Sequence, residues 1–155
     1  MFPDWVNELS QKLWGTIETN VTRDGFLAPV IFAFNAGTRE VKLLAVPGGE
    51  TSSDDIYELA KSFKSITSAD FIAVATEVWL AAASKEEAEG GAFTPPSQRA
   101  DREEAVMLSV TGRMGAVMYV RKFIKKDDEI VWLGEREAHE TLSGRYIDLM
   151  QADVQ

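Results

Sequence analysis

The chain has no cysteine and a single histidine, His139. The first absence excludes a disulfide framework and any thiolate metal site. The second excludes a metal centre built from two histidines of one chain. A serine–histidine–acid triad would have to use His139. That residue lies in an acidic segment, and no G-x-S-x-G elbow accompanies it. Phosphate-cradling loops are missing as well. Gly48-Gly49 and Gly90-Gly91 are not followed by Lys-Ser/Thr, and no G-x-G-x-x-G occurs. These glycine pairs read as turn geometry.

Basic residues are in the minority, 16 against 25 acidic, for a net charge of −9. A surface of that sign repels phosphate backbones and anionic bilayers, so neither nucleic acid nor membrane is an expected partner. The longest apolar run, residues 71–83, is broken by Glu77 and is too short to span a bilayer. Met1-Phe2-Pro3-Asp4-Trp5 has neither the basic nor the apolar region of a secretory signal. With no cysteine, a cytoplasmic setting is the expectation. Five prolines and eleven glycines are ordinary usage, which argues against wholesale disorder.

What is present is a core-forming sequence. In 155 residues, 45% are hydrophobic, enough for one domain over residues 1–155. Residues 4–20 place Val6, Leu9, Leu13 and Ile17 at spacings of three and four, which predicts a helix with Trp5 and Trp14 at the margins of its stripe. Residues 27–35 and 39–46 flank Asn35-Ala36-Gly37-Thr38 and read as a hairpin. Ser52 with Asp55 three residues on resembles a capping box, and Ile56, Leu59, Ala60 and Phe63 continue as a helical face to about Lys64.

Strands are expected at 71–80, 103–111, 116–124 and 129–133. Gly112-Arg113-Met114-Gly115 and Lys125-Lys126-Asp127-Asp128 supply the last two turns. Residues 81–89 favour a short helical extension, and Gly90-Gly91 and Pro95-Pro96 would end it. Residues 135–142 are acidic and fit no element. A closing helix at 143–152 would start at Ser143 and turn Tyr146, Ile147 and Met150 inward. The order α-ββ-α-ββββ-α predicts an α+β fold with a mostly antiparallel sheet of five to six strands. Profilin-like and longin-like arrangements offer an analogy at the level of fold alone.

Glu77 stands out as a carboxylate inside an apolar strand. Asp101, Glu103 and Glu104 open the next strand, so antiparallel pairing would bring the two acidic ends together. Such a cluster could hold a divalent metal through hard oxygen ligands. The favoured alternative pairs Glu77 with Arg99, Arg102 or Arg121, because a carboxylate among apolar neighbours needs a partner. Glu103 and Glu104 point to opposite faces and cannot both reach it. A second pattern, Glu18 and Asp24 followed by Glu40-Val41-Lys42, is similar to the active site of restriction-endonuclease-like nucleases. That family uses acidic residues for metal and lysine for the attacking water. Exposed charge alternation on a hairpin explains the same residues more simply.

Phe71, Ala73, Ala75 and Trp79 line the Glu77 face of their strand, with Met107 expected alongside on the next. If the helices leave that face open, it is an interface for a protein partner or a second copy. If the first helix crosses it, it is core.

Glu77-Val78-Trp79 followed by Pro96-Ser97-Gln98-Arg99-Ala100-Asp101-Arg102-Glu103-Glu104-Ala105 resembles a pattern in small uncharacterised bacterial and phage proteins: an E-x-W strand, then P-S-x-x-x-D-R-x-E-A. The resemblance covers about forty residues. It implies a bacterial or phage setting and a recurrent strand–loop–strand unit, and brings no activity or cofactor with it. The function expected is that of a non-enzymatic protein-interaction module, with a metal-dependent hydrolase or nuclease using the carboxylate cluster as the alternative.

Overall fold

Apolar residues alternate along the longer strands, and the faces they define build one six-stranded, wholly antiparallel sheet. The computed structural model describes residues 2–46, 51–80, 89–90 and 102–152. In chain order the elements are α1 Asp4–Asp24, β1 Val30–Phe34, β2 Val41–Ala45, α2 Ser53–Thr67, β3 Phe71–Leu80, β4 Glu103–Gly112, β5 Gly115–Lys126, β6 Glu129–Thr141 and α3 Arg145–Gln151. The spatial order is β2-β1-β3-β4-β5-β6. This is the α+β class and the element order that the sequence predicts.

Each boundary has a local cause. Helix α1 runs to Asp24, past the expected end at residue 20, and stops where Gly25 turns left-handed (φ +79°) and returns its N–H to the Val21 carbonyl. The capping box of α2 is complete: Ser52 Oγ accepts from the Asp55 N–H, and the Asp55 carboxylate accepts from the Ser52 N–H. Asp127 and Asp128 both have positive φ, 52° and 64°, which gives the β5–β6 hairpin a tight two-residue turn of the right twist. Helix α3 begins at Arg145 behind Gly144, so Ser143 is not its cap.

Two further expectations need correction. Residues 135–142 belong largely to β6, which continues to Thr141 across an irregularity in pairing. Val120 faces Glu137 while Lys122 faces Leu133, so β6 carries extra residues around Gly134, whose φ is +66°. Trp14 is not marginal. It is 3% exposed and forms the centre of the buried stripe Val6, Ser10, Trp14, Ile17 and Val21. The possible helical extension at 81–89 lies outside the described residues except for Glu89.

The core has two layers of contact, one on each face of the sheet. On one face α1 packs over Phe32, Phe34, Ala73, Ala75, Val106, Leu108, Val110, Val117, Tyr119 and Phe123. On the other, α2 and α3 pack over Ile31, Ala33, Ile72 and Val74. Lys64, buried in α2, donates from Nζ to the Leu149 carbonyl at 2.9 Å and pins α3 in place. Arg145 fastens the other end of α3 through Asp54 and the Ser53 carbonyl, over the rings of Tyr57 and Tyr146. No helix among the described residues is long and apolar enough to cross a membrane.

Candidate functional site

The register of β3 and β4 decides which of the acidic side chains can meet. Glu77 faces Val106, Trp79 faces Glu104 and Leu80 faces Glu103. Directly opposed residues share a face, so Glu104 lies on the Glu77 side, diagonal to it, and Glu103 on the other. Glu103 is engaged there by Lys122 at 2.8 Å, and the carboxylate raises the Lys122 pKa above the ordinary lysine value. Glu77 does not pair with an arginine among the described residues. Its Oε1 accepts the Leu27 backbone N–H at 2.7 Å, closing the segment between α1 and β1 over the sheet. Arg102 lies over the Trp79 ring, 4.4 Å from its centroid. Arg99 and Asp101 lie outside the described residues.

Arg121 shares the Glu77 face but stands one strand beyond Val106, about 10 Å away at ordinary strand spacing. It turns to Glu18 of α1 at 3.2 Å, donates from Nε to the Gly134 carbonyl at 3.0 Å, and stacks over Trp132. Arg136 lies over Tyr119 and bonds Gln11. Trp14 Nε1 donates to the same Glu18 oxygen that Arg121 engages. With Glu135 these residues line an open polar groove of about 390 Å³ between α1 and the irregular part of β6. The groove holds two guanidinium groups against two carboxylates, so its charges largely cancel. Its visible work is to join α1 to the sheet.

The metal readings find few ligands in place. Among the described residues, no group of three histidine, aspartate or glutamate side chains is placed to hold an ion. Asp24 pairs with Arg23 at the far end of α1, next to the β5–β6 turn. Glu40 lies at the opposite end of the sheet, where its carbonyl accepts from the Asn35 N–H at the hairpin tip. The Glu18, Asp24 and Glu40-Val41-Lys42 pattern is therefore spread over the molecule.

Of the two outcomes foreseen for the Phe71, Ala73, Ala75 and Trp79 face, α1 crossing it is the one observed. Ala73 and Ala75 are fully buried, and Phe71 packs edge-on against Phe2 and Trp5. Trp79, at the end of the strand, stays 40% exposed. Met107 requires a correction. It pairs with Thr76, and Ala73 and Ala75 pair with Val110 and Leu108, so Met107 is on the reverse face.

That reverse face is where apolar surface remains. Helix α2 covers its β1 part and α3 packs over β3 and β4, and no described helix packs over the β5–β6 part. Pairing aligns Met107 with Val120, Ser109 with Met118, Lys122 with Leu133 and Ile124 with Val131. Met107, Met118 and Val120 are half-buried, and Ile124, Val131 and Leu133 are 46, 40 and 41% exposed. Alternation in β4 and β5 was legible in the sequence. The strip was not, because it depends on where two helices stop.

No family model, curated protein or solved structure matches the chain. The profilin-like and longin-like analogy therefore rests on element order alone.

Proposed function

We propose that this chain is a non-enzymatic protein-binding module, and that the strip formed by Met107, Met118, Val120, Ile124, Val131 and Leu133 is its working surface. One observation supports the reading: these six apolar side chains share one face of adjacent strands around Lys122, and Ile124, Val131 and Leu133 are two-fifths exposed or more. Contiguous exposed apolar surface marks association sites, whereas single exposed apolar residues are ordinary. Methionines suit such a surface because their unbranched chains repack against different partners. Among the described residues the hydrolase alternative keeps only Glu77 and Glu104 on a common face, and Glu77 is already committed to a backbone N–H. A bacterial or phage setting, implied by the E-x-W and D-R-x-E-A resemblance, makes a bacterial protein the first partner to seek.

The test compares three tagged proteins in capture from bacterial lysate. They are the unaltered chain, a double variant Val131→Thr with Leu133→Asn, and a control Leu43→Asn, whose exposed leucine lies on β2 at the far edge. The expected result is a stoichiometric partner held by the unaltered chain and the control and lost by the double variant, at equal thermal stability. Identical capture by all three would remove the strip from consideration.

A further inference from the structure

A cavity of about 360 Å³ opens at the end of the sheet where the β1–β2 hairpin, the start of β3 and the β4–β5 turn meet the first residues of α1. It lies away from Ile124 and Val131, which sit by the β5–β6 turn, so its ligand is independent of what the strip binds. Among the described residues, Phe2, Pro3, Ala36, Phe71 and Met114 supply apolar walls, and Asp70 and Arg113 supply the charges. The Phe2 and Phe71 rings meet edge-on with centroids 5.3 Å apart. Mostly apolar walls with a few convergent polar groups are the ordinary form of a small-molecule site.

The two charges are neighbours that do not pair. Ile72 faces Thr111 at the end of the β3–β4 ladder, and Asp70 and Arg113 stand two positions further out. An ion pair across that gap would be the ordinary outcome. Instead Asp70 Oδ2 accepts the Ala36 N–H at 2.6 Å, and the Asp70 N–H donates to the Phe34 carbonyl at 2.8 Å. Asp70 Oδ1 accepts from no described residue. The Arg113 carbonyl accepts from Gln151 Nε2 at 2.8 Å, which ties the turn to α3, while the guanidinium has no partner among the described residues. Every other described arginine engages a carboxylate or an aromatic ring. Both backbones are thus fixed, with one carboxylate oxygen and one guanidinium left available, and such preorganisation lowers the cost of binding.

We infer that this cavity binds a free α-amino acid with an apolar side chain. The ligand carboxylate meets the Arg113 guanidinium, its ammonium meets the open oxygen of Asp70, and its side chain lies against Phe2, Phe71 and Met114. A plain organic acid would set a second anion beside Asp70, and a plain amine a second cation beside Arg113. A ligand that carries both charges avoids either like-charge contact.

The experiment titrates the full chain with three compounds: L-phenylalanine, N-acetyl-L-phenylalanine, which lacks the ammonium, and L-phenylalaninamide, which lacks the carboxylate. Methyl NMR of Ala36 and Met114 gives location and affinity. L-Phenylalanine is expected to bind with a Kd of about 1 mM or below, and each derivative about tenfold more weakly. Arg113→Gln should weaken L-phenylalanine about tenfold and leave the amide no weaker. Asp70→Asn keeps an acceptor for the Ala36 N–H; it should weaken L-phenylalanine about tenfold and leave the N-acetyl derivative no weaker. L-Serine, without the apolar side chain, should move neither methyl at about 10 mM.

Ala36 and Met114 methyls unmoved by L-phenylalanine, L-leucine and L-methionine at about 10 mM overturn the site. Equal affinity for the three phenylalanine compounds, or L-phenylalanine affinity unchanged in both variants, overturns the amino-acid assignment.

Discussion

The Glu77 carboxylate and the Leu27 amide, fifty positions apart in the chain, meet at 2.7 Å. A strand carboxylate in an apolar setting was expected to seek an arginine. It takes a backbone donor instead, because β4 holds Arg121 a further strand away and Glu18 of α1 engages that arginine first. The bond closes the chain between the end of α1 and the start of β1. Glu77→Leu would leave the Leu27 N–H unpaired at a cost of about 1–3 kcal/mol. Glu77→Gln keeps an acceptor and gives up only charge assistance, so about half that loss is expected. Urea denaturation of the two variants checks the order. Glu77→Leu as stable as the unaltered chain would show that water satisfies the amide.

Local chemistry was the part of this fold open to reading in advance. The capping box at Ser52 and Asp55, the hairpin turns and the alternation of β3 to β5 all depend on neighbours within a few residues. Misplaced features were those set at long range. Trp14 belongs to the core because Tyr119, from β5, lies under it with ring centroids 6.3 Å apart. The later part of β6 has no apolar alternation, since it is an edge strand whose pairing to β5 does not depend on burial. Met107 went to the wrong face because an antiparallel register pairs odd with odd or odd with even positions. A long β3–β4 connection, unlike a tight turn, leaves that parity open.

Gly112 tests the packing at the foot of the sheet. A Cβ there would fall 2.7 Å from Cε1 of Phe71. The Phe71 ring also packs against Phe2, Trp5 and Phe34, so a shift away from Gly112 disturbs those contacts. No unusual φ at Gly112 demands glycine, so the need is for space. Gly112→Ala should destabilise by about 1–3 kcal/mol through overpacking. Adding Phe71→Leu should recover part of that loss, a non-additivity that thermal unfolding of the two single variants and the double variant would reveal. Strict additivity would contradict the contact.

Arg121 and Glu18 are about one-quarter exposed, at 25 and 28%. Solvent therefore screens their attraction, and a double-mutant cycle of Arg121→Met with Glu18→Gln should give a coupling of at most about 1 kcal/mol. The larger consequence should come from the Gly134 carbonyl and the Trp132 ring, which Arg121 also engages. Amides near Gly134 should exchange faster in Arg121→Met and stay protected in Glu18→Gln. Equal exchange in the two variants would place the anchor of β6 in the ion pair.

Tyr146 sets an alkaline limit. Burial against α2 pushes its phenol above the ordinary value of 10.0, and the nearby Arg145 charge only partly offsets this. The folded state thus holds the phenolic proton more tightly than the unfolded chain does. Below the unfolded pKa both states keep that proton, and the term is constant. As pH rises past it, the unfolded chain releases the proton first, and stability falls until the folded pKa is reached. Tyr146→Phe removes the proton at issue. Urea unfolding at about pH 9 and about pH 11 should show a smaller alkaline loss in the variant. An identical loss in both proteins would show that the Tyr146 phenol does not set the alkaline sensitivity.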